Sequence, residues 1–368
     1  MHKLDSPLQL SPIYKEKIWG RSDLSPIFSL PEGKPKSGRP TSHAAAAKKP
    51  LIGEVWLTAD ESRFLNGPVA GLTLAEACHK YGAELVGESC AGRSGKSLRF
   101  PILSKYLFTS DWLSVQVHPD DDYACKYEGG SPGKCEMWYI VQAERNGRYV
   151  LGLKPGVTRE ALRAACGKGT SRTLLQEFHP KQREAVFIPP GTIHALGPGL
   201  ILFEAEENSD LTYRLDDFGR VGPDGKTRPL HLKQGFEVAR LDLPVCRALP
   251  GVSLREPFGT RRLIVACGFF AVEELFLRRS ASFESSPHRV EVLSLLEGEG
   301  RLETPAGWMA QRPGDTWVIP PGAGKYRLVP AERSRLLKFY VPDIEEDFRR
   351  PLRKRRGGPK KLSRVCFE

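Results

Sequence analysis

The sequence predicts a mainly β protein of two antiparallel sandwiches or barrels with a small helical excursion. Three observations carry that expectation. Short runs rich in Val, Ile, Leu and aromatic residues recur between Gly, Pro and Asn-Gly turns, the grammar of antiparallel sheets rather than of βαβ units. In residues 112–118 apolar and polar side chains alternate, as on a strand with two different faces. A strand followed by Pro-Pro-Gly occurs twice, at Ile188-Pro189-Pro190-Gly191 and at Ile319-Pro320-Pro321-Gly322.

Residues 12–20 form the expected opening strand and residues 53–57 the next. Between them residues 30–50, rich in Pro, Gly, Ser, Ala and Lys and without periodicity, are expected to be a surface loop or disordered insertion. Thr73-Leu74-Ala75-Glu76 has capping-box spacing and predicts a short helix to about Lys80, with Leu74, Ala77 and Cys78 toward the core. Residues 99–107 and then 112–118 read as strands, and Asp120, Asp121 and Asp122 as a solvated cluster at the strand end. Residues 135–142 and 148–153, joined across Arg145-Asn146-Gly147, predict a hairpin. Residues 158–166 and 171–178 mix charge with Ala and Leu at helical spacing, which predicts a two-helix excursion over about 157–178. Strands resume at 184–188 and 199–204.

After Leu241 the pattern repeats loosely, and Pro320-x-Gly322-x-x-Lys325 stands where Pro189-x-Gly191-x-x-His194 stood. A lysine ammonium has no lone pair to give, so the second module is expected to be metal-free. The expected division is therefore 1–240, 241–345 and a basic tail, 346–368.

The chain's 368 residues suffice for two or more modules. No apolar run reaches about 18 residues and no secretory leader opens the chain, so a cytoplasmic protein without a membrane partner is expected. Eight cysteines without a C-x-x-C pair read as free thiols of a reducing compartment. The net charge is +11, but residues 349–364 hold nine basic side chains and no acidic one, so 11 − 9 leaves +2 for the rest. That stretch is expected to be a solvated, mobile tail, and a nucleic-acid partner is not expected beyond weak phosphate contacts.

On the strand at 112–118, Leu113, Val115 and Val117 point one way and Ser114, Gln116 and His118 the other. A polar stripe of that kind must be solvated, paired or bound to something. Glu136 and His194 are matching partners, so the set offers two imidazoles, one carboxylate and one amide oxygen. Zinc leads for such donors, while iron, manganese, cobalt and nickel fit them too. Lys134, two residues before Glu136, shares its face and reads either as a cation for substrate or as a lysine reaching solvent. Ser114 could donate a hydroxyl or be an ordinary strand serine; Lys105 is a weaker cationic candidate. His79, His179, His231 and His288 have no partner motif.

The combination Ser114-Val-Gln-Val-His-Pro-Asp-Asp121, Lys134-x-Glu136-Met-Trp-Tyr139, Pro189-Pro-Gly-x-x-His194-Ala195 and Thr212-Tyr213-Arg214 resembles the short bacterial type I mannose-6-phosphate isomerases of the cupin superfamily. The likeness spans about residues 12–240 and continues more faintly beyond. It implies two cupin-like antiparallel β-barrels (jelly rolls), one zinc per chain on Gln116, His118, Glu136 and His194, and an active-site arginine at Arg214. It also implies interconversion of mannose 6-phosphate and fructose 6-phosphate through an enediol. Lys134 and Arg214 would then anchor phosphate or stabilise the enediolate, Ser114 and Lys105 would touch substrate, and Glu204 or a zinc-bound water would be the base. Glu206-Glu207 departs from the family pattern, and an extra negative charge near the pocket would disfavour a phosphorylated ligand. That departure keeps open a non-catalytic sugar-binding cupin. An iron-dependent cupin oxygenase is the other rival, disfavoured by Gln116 and the Thr-Tyr-Arg segment.

Overall fold

The computed structural model describes residues 3–29, 49–91, 99–222, 225–354 and 358–367. The expectation for residues 30–50 falls almost wholly outside them. Strands dominate and pair antiparallel throughout the named sheets, as two β-sandwiches each made of a large and a small sheet. In the first, the large sheet runs Ile13–Arg21, Ile52–Trp56, Ile102–Thr109, Leu200–Glu207, Glu136–Ala143, Ala185–Ile188. The small sheet facing it runs Tyr213–Asp216, Val115–Val117, His194–Leu196, Tyr149–Leu153, Leu175–Phe178. The second sandwich pairs a seven-stranded sheet with a four-stranded one, Ala281–Glu284, Lys325–Pro330, Gly300–Thr304, Gly307–Gln311. Strand Leu8–Leu10 joins that seven-stranded sheet, pairing with Thr316, Trp317 and Val318.

Alternation along the large strands builds two interiors at once. One face of the first large sheet, with Tyr106, Tyr139 and Phe203, packs in a shared core against Val292 and Phe339 of the second sandwich. Tyr139 Oη donates to Glu274 and Arg183 pairs with it at 2.7 Å, so the polar edge of this contact is satisfied as well. The opposite face carries Leu107, Trp138, Ile140 and Leu202, which close over Tyr149, Leu151 and Leu196 of the small sheet. The outer face of the small sheet, with Val115, Val117, Ala195 and Leu215, is covered by the helix Arg159–Cys166, through Leu162, and by the helix Leu232–Val238, through Phe236.

Thr73 accepts from Glu76 N and its own N–H donates back to the Glu76 carboxylate, so the expected capping box opens the helix Leu74–Tyr81. Several expectations need correction. Asn146-Gly147 does turn the chain, but Glu136–Ala143 and Tyr149–Leu153 lie in different sheets and make no hairpin. Both present large apolar side chains to one interior (Trp138 and Ile140 against Tyr149 and Leu151), which is better filled by strands facing each other than by strands side by side. The second excursion helix is also absent. Only a short turn, Ser171–Leu174, precedes the strand Leu175–Phe178, which pairs with Tyr149–Leu153. Asp120 to Asp122 are not a loose cluster: Asp120 accepts from Tyr123 N at 2.9 Å and caps the helix Asp121–Tyr127.

The basic C-terminal segment is docked rather than free. Phe348, Leu352 and Val365 are buried with Val252 and Tyr340, Ala266 bridges to Cys366, and Phe367 stacks on Phe187 at 4.7 Å. Among its described cations Arg350, Arg353, Lys354, Lys360 and Arg364 are exposed, while Phe348, Leu352 and Val365 between them are buried. Finally, Lys325 is exposed, and it is Tyr326 that enters the second interior, stacked on Phe283 at 5.6 Å. The short turn Pro321–Ala323 and Gly324 in the left-handed region (φ +65°) shift the alternation by one residue relative to the first module.

Candidate functional site

Register places the donors. On the small sheet Arg214 lies opposite Gln116, and Gln116 opposite His194, one line across three strands. On the large sheet Glu206 pairs with Glu136, and Glu204 lies between Lys105 and Trp138. The two lines face each other inside the first sandwich, above the apolar layer of Trp138, Tyr149 and Leu196.

His118 Nδ1 lies 2.8 Å from the carbonyl of Leu211 and His194 Nδ1 2.9 Å from that of Thr192. A carbonyl only accepts, so each ring carries its proton on Nδ1 and turns a bare Nε2 lone pair inward. Burial, reinforced by Lys134, holds His118 well below the usual histidine range; burial likewise lowers His194. Both therefore stay neutral, the ligating form. Between them lies Glu136, 1% exposed, with Oε2 at 3.5 Å from His118 Nε2 and Oε1 at 3.2 Å from His194 Nε2. Glu136 Oε1 and His118 Nε2 have no hydrogen-bond partner, and Oε2 meets only the Lys134 ammonium, at 3.1 Å. Acceptors facing acceptors in a buried site repel unless a cation stands among them.

Those atoms fit a metal. Four ligands about 2.0–2.1 Å from a tetrahedral zinc stand about 3.3–3.4 Å apart, and the separations here are 3.2 and 3.5 Å. Gln116 brings its carboxamide to 3.2 Å from His194 Nε2, and a half-turn of that amide exchanges its nitrogen for its oxygen. The donors suit zinc, iron, manganese, cobalt or nickel, as their mixture of imidazole and carboxylate oxygen predicts.

Behind this cluster is a buried charge network. Lys105 Nζ lies 3.1 Å from Glu204 and 2.9 Å from Glu206, and Lys134 Nζ lies 3.1 Å from Glu136 and 2.8 Å from Glu206. Burial alone would lower both lysines; the carboxylates around them outweigh it and raise both. Burial likewise pushes up Glu206, while Glu204, despite its burial, is held down by Lys105 and Lys134 and accepts from Trp138 Nε1 at 2.7 Å. The feared extra charge of Glu206 is thus met by two lysines. Glu207 points to the other face of its strand, where burial raises its carboxyl to about 9. Glu206 thus shares Lys105 and Lys134 with Glu204 and Glu136, and Glu207 lies away from the cavity.

The cavity holds about 230 Å³ and is lined by Ser114, Gln116, Lys134, Lys105, Glu204 and Arg214. All the candidate substrate residues named from sequence therefore meet there, beside the donor cluster. Arg214 does not pair with Asp216 or Asp217: its Nη1 donates to Pro229 O at 3.0 Å and its buried Nε has no partner. Asp216 accepts from Ser171, and Asp217 from Arg220 and Arg228. Sequence reasoning missed Lys17, Glu54 and Arg228 on the rim. Lys17 could have been found from its alternation with Trp19 in the opening strand; Arg228 carries no local signal.

The comparisons with known proteins agree in direction. The family model described as phosphomannose isomerase type I, catalytic domain, matches residues 8–137. The chain is 31% identical over 332 residues to mannose-6-phosphate isomerase ManA of Bacillus subtilis, covering 88% of this chain and 95% of that one. It is 31% identical over 318 residues to mannose-6-phosphate isomerase of Streptococcus mutans, covering 85% and 92%. The crystal structure of the mannose 6-phosphate isomerase from Bacillus subtilis superposes with a TM-score of 0.77 at 26% identity, over 91% of this chain and 99% of that one. Among the described residues no helix is long and apolar enough to cross a membrane.

Proposed function

Because the chain belongs to the type I phosphomannose isomerase family, we propose that it interconverts mannose 6-phosphate and fructose 6-phosphate in the cavity described above, moving a proton between C1 and C2 through an enediol. The observation that carries this reading is the trio of His118, Glu136 and His194, buried acceptors turned on one another at 3.2 and 3.5 Å. With Gln116 they would hold one zinc per chain in the 1–240 module. When bound, that ion supplies Lewis-acid stabilisation of charge growing on the sugar oxygens.

The chain's own groups divide the remaining work. Arg214 offers an unpaired guanidinium Nε beside the donor line and stabilises the enediolate. Lys134 and Lys105 are engaged by Glu136, Glu204 and Glu206, so they hold the carboxylates in place, while Arg228 on the rim takes the phosphate. Ser114, beside Gln116, orients a sugar hydroxyl. Glu204 is ionised and can accept a proton, but a carboxyl held this low is a weak base. The partner is a small hexose phosphate; the 241–345 module is metal-free in this reading, and a cytoplasmic setting suits eight cysteines, none of them in a disulfide.

His118→Ala removes one donor and frees the others. Metal analysis should fall from about one zinc per chain to near none, and a coupled isomerase assay should fall by more than about a hundredfold, the upper end of what loss of a supporting contact costs. Wild-type protein that binds zinc yet turns over no hexose phosphate would leave the non-catalytic sugar-binding reading in its place.

A further inference from the structure

The opening strand Ile13–Arg21 is the edge of the first large sheet, and its pairing with Ile52–Trp56 is interrupted between Glu16 and Arg21. Breaks of that kind bend an edge strand and re-aim its side chains, and they recur beside active sites. Here both Lys17 and Trp19 line the cavity that holds Gln116, while Ile18 between them is 43% exposed. Trp19 packs with Leu107, Leu113 and Leu196 in the apolar layer and so anchors the bent segment. Gly53 leaves the lysine its path, because a Cβ there would stand 2.6 Å from Lys17 Cβ. At its tip Lys17 Nζ lies 3.2 Å from Glu54 Oε1, and the other oxygen of Glu54 accepts from Trp56 Nε1 at 2.7 Å. A flexible ammonium is thereby held at the cavity rim by a carboxylate that is itself fixed.

We propose that Lys17 binds the phosphate of the substrate and that Glu54 positions it; the inference rests on the hexose-phosphate isomerase reading and adds two residues to it. Lys105 and Lys134 are each 3% exposed and engaged by two carboxylates at 3.1 Å or less, so neither is free to follow a ligand. Lys17 keeps 34% of its side chain exposed and has one carboxylate contact among the described residues, which leaves ammonium N–H groups for an anion. Its place along the sheet agrees with the chemistry. Carbons C1 and C2 belong beside His118, Glu136 and His194, and the phosphate on C6 is the far end of the sugar. The strands of Glu136 and Lys17 stand four steps apart in the large sheet, which puts the lysine at that far end of the same cavity. Arg228 follows the small-sheet strand Tyr213–Asp216, so the two rim cations reach the cavity from different sheets. A cation on each wall suits a dianion held through its oxygens.

Lys17→Met keeps the stem beside Gly53 and removes the charge. In the metal-loaded protein KM for mannose 6-phosphate should rise about tenfold with kcat within about twofold, and competitive inhibition by inorganic phosphate should weaken by the same factor. Lys17→Arg should stay near wild type, and Glu54→Gln, which still accepts from Trp56 Nε1, should raise KM about threefold with kcat unmoved. Sorbitol 6-phosphate has no carbonyl to isomerise, so its calorimetric Kd reads the same contact without turnover and should weaken about tenfold in Lys17→Met. An unchanged KM and Kd in Lys17→Met, a loss that falls on kcat instead, or inhibition by inorganic phosphate that ignores the substitution would each overturn the assignment. The two readings fail separately. Wild-type turnover with an indifferent Lys17→Met removes the lysine alone. Sorbitol 6-phosphate binding that needs Lys17, in a wild type that turns over no hexose phosphate, removes the isomerase and keeps the lysine; a wild type that neither binds it nor turns over overturns both.

Discussion

Lys105→Met tests the buried charge network most directly. Lys105 is 3% exposed and its Nζ lies 3.1 Å from Glu204 and 2.9 Å from Glu206, the latter wholly buried. Methionine keeps the length of the side chain and removes only the charge and its hydrogen bonds, leaving two carboxylates with Lys134 alone to balance them. Breaking a buried ion pair from one side costs about 3–5 kcal/mol, because the partner charge stays behind. The loss is read as a lower urea midpoint at unchanged m at pH 7. The double variant Lys105→Met/Glu206→Gln replaces the pair by neutral groups of similar shape and should recover more than half of it, a coupling that additive sites would not show. The pH dependence has a definite sign. Glu206 already sits above its ordinary value through burial, and losing Lys105 pushes it higher. A carboxyl whose folded value is raised binds more protons folded than unfolded, so its share of stability is present below the unfolded value, about 4.3, and is lost as pH rises through the folded one. Wild type and Lys105→Met share the unfolded value, so their deficit should be smallest in acid and widen as pH rises past the wild type's own raised Glu206 value. A deficit under about 1 kcal/mol at pH 7, as for an exposed pair, or one that ignores pH, would refute the network as drawn.

Two more outcomes follow from single contacts. Asp217 is 4% exposed and holds Arg228 at 2.5 Å and Arg220 at 2.5 Å, so Asp217→Ala lets the rim guanidinium of Arg228 swing; KM for mannose 6-phosphate should rise about tenfold, some 1.4 kcal/mol, with kcat nearly unchanged, and an equal fall in kcat would count against a binding role. Phe348, fully buried beneath the basic C-terminal helices, should cost about 3–5 kcal/mol when truncated to Ala, where a mobile tail would cost almost nothing on the same urea curve.

Much of the site was legible because strand alternation is a local property. The two-residue spacings Ser114–Gln116–His118 and Lys134–Glu136 put these groups on shared faces, and they do line one cavity or cluster. The Thr73 cap was legible for the same reason, since both of its partners lie within four residues. The helix Asp121–Tyr127 was missed although Asp120 is a good cap, because the three carboxylates read as a solvated end. Lys325 was misjudged by one residue of phase, which a loose repeat cannot resolve when a turn absorbs one position.

What the sequence alone determined is the supply of chemistry: which donors exist, which of them share a face, and where the chain must turn. Tertiary structure decided who meets whom. Asn146-Gly147 turns equally well within a sheet or between two, and only the interior shared by Trp138 and Tyr149 selects the second. Leu175–Phe178 became a strand because an unpaired neighbour offered hydrogen bonds that its helical spacing could not match. Glu206 reads as a surplus negative charge in one dimension, yet its two neutralising lysines lie 101 and 72 positions away, 206 − 105 and 206 − 134, and reach it only through sheet register. Backbone periodicity and turn chemistry act over a few residues and are written in order along the chain; pairing and charge balance act through space, and folding alone brings those partners together.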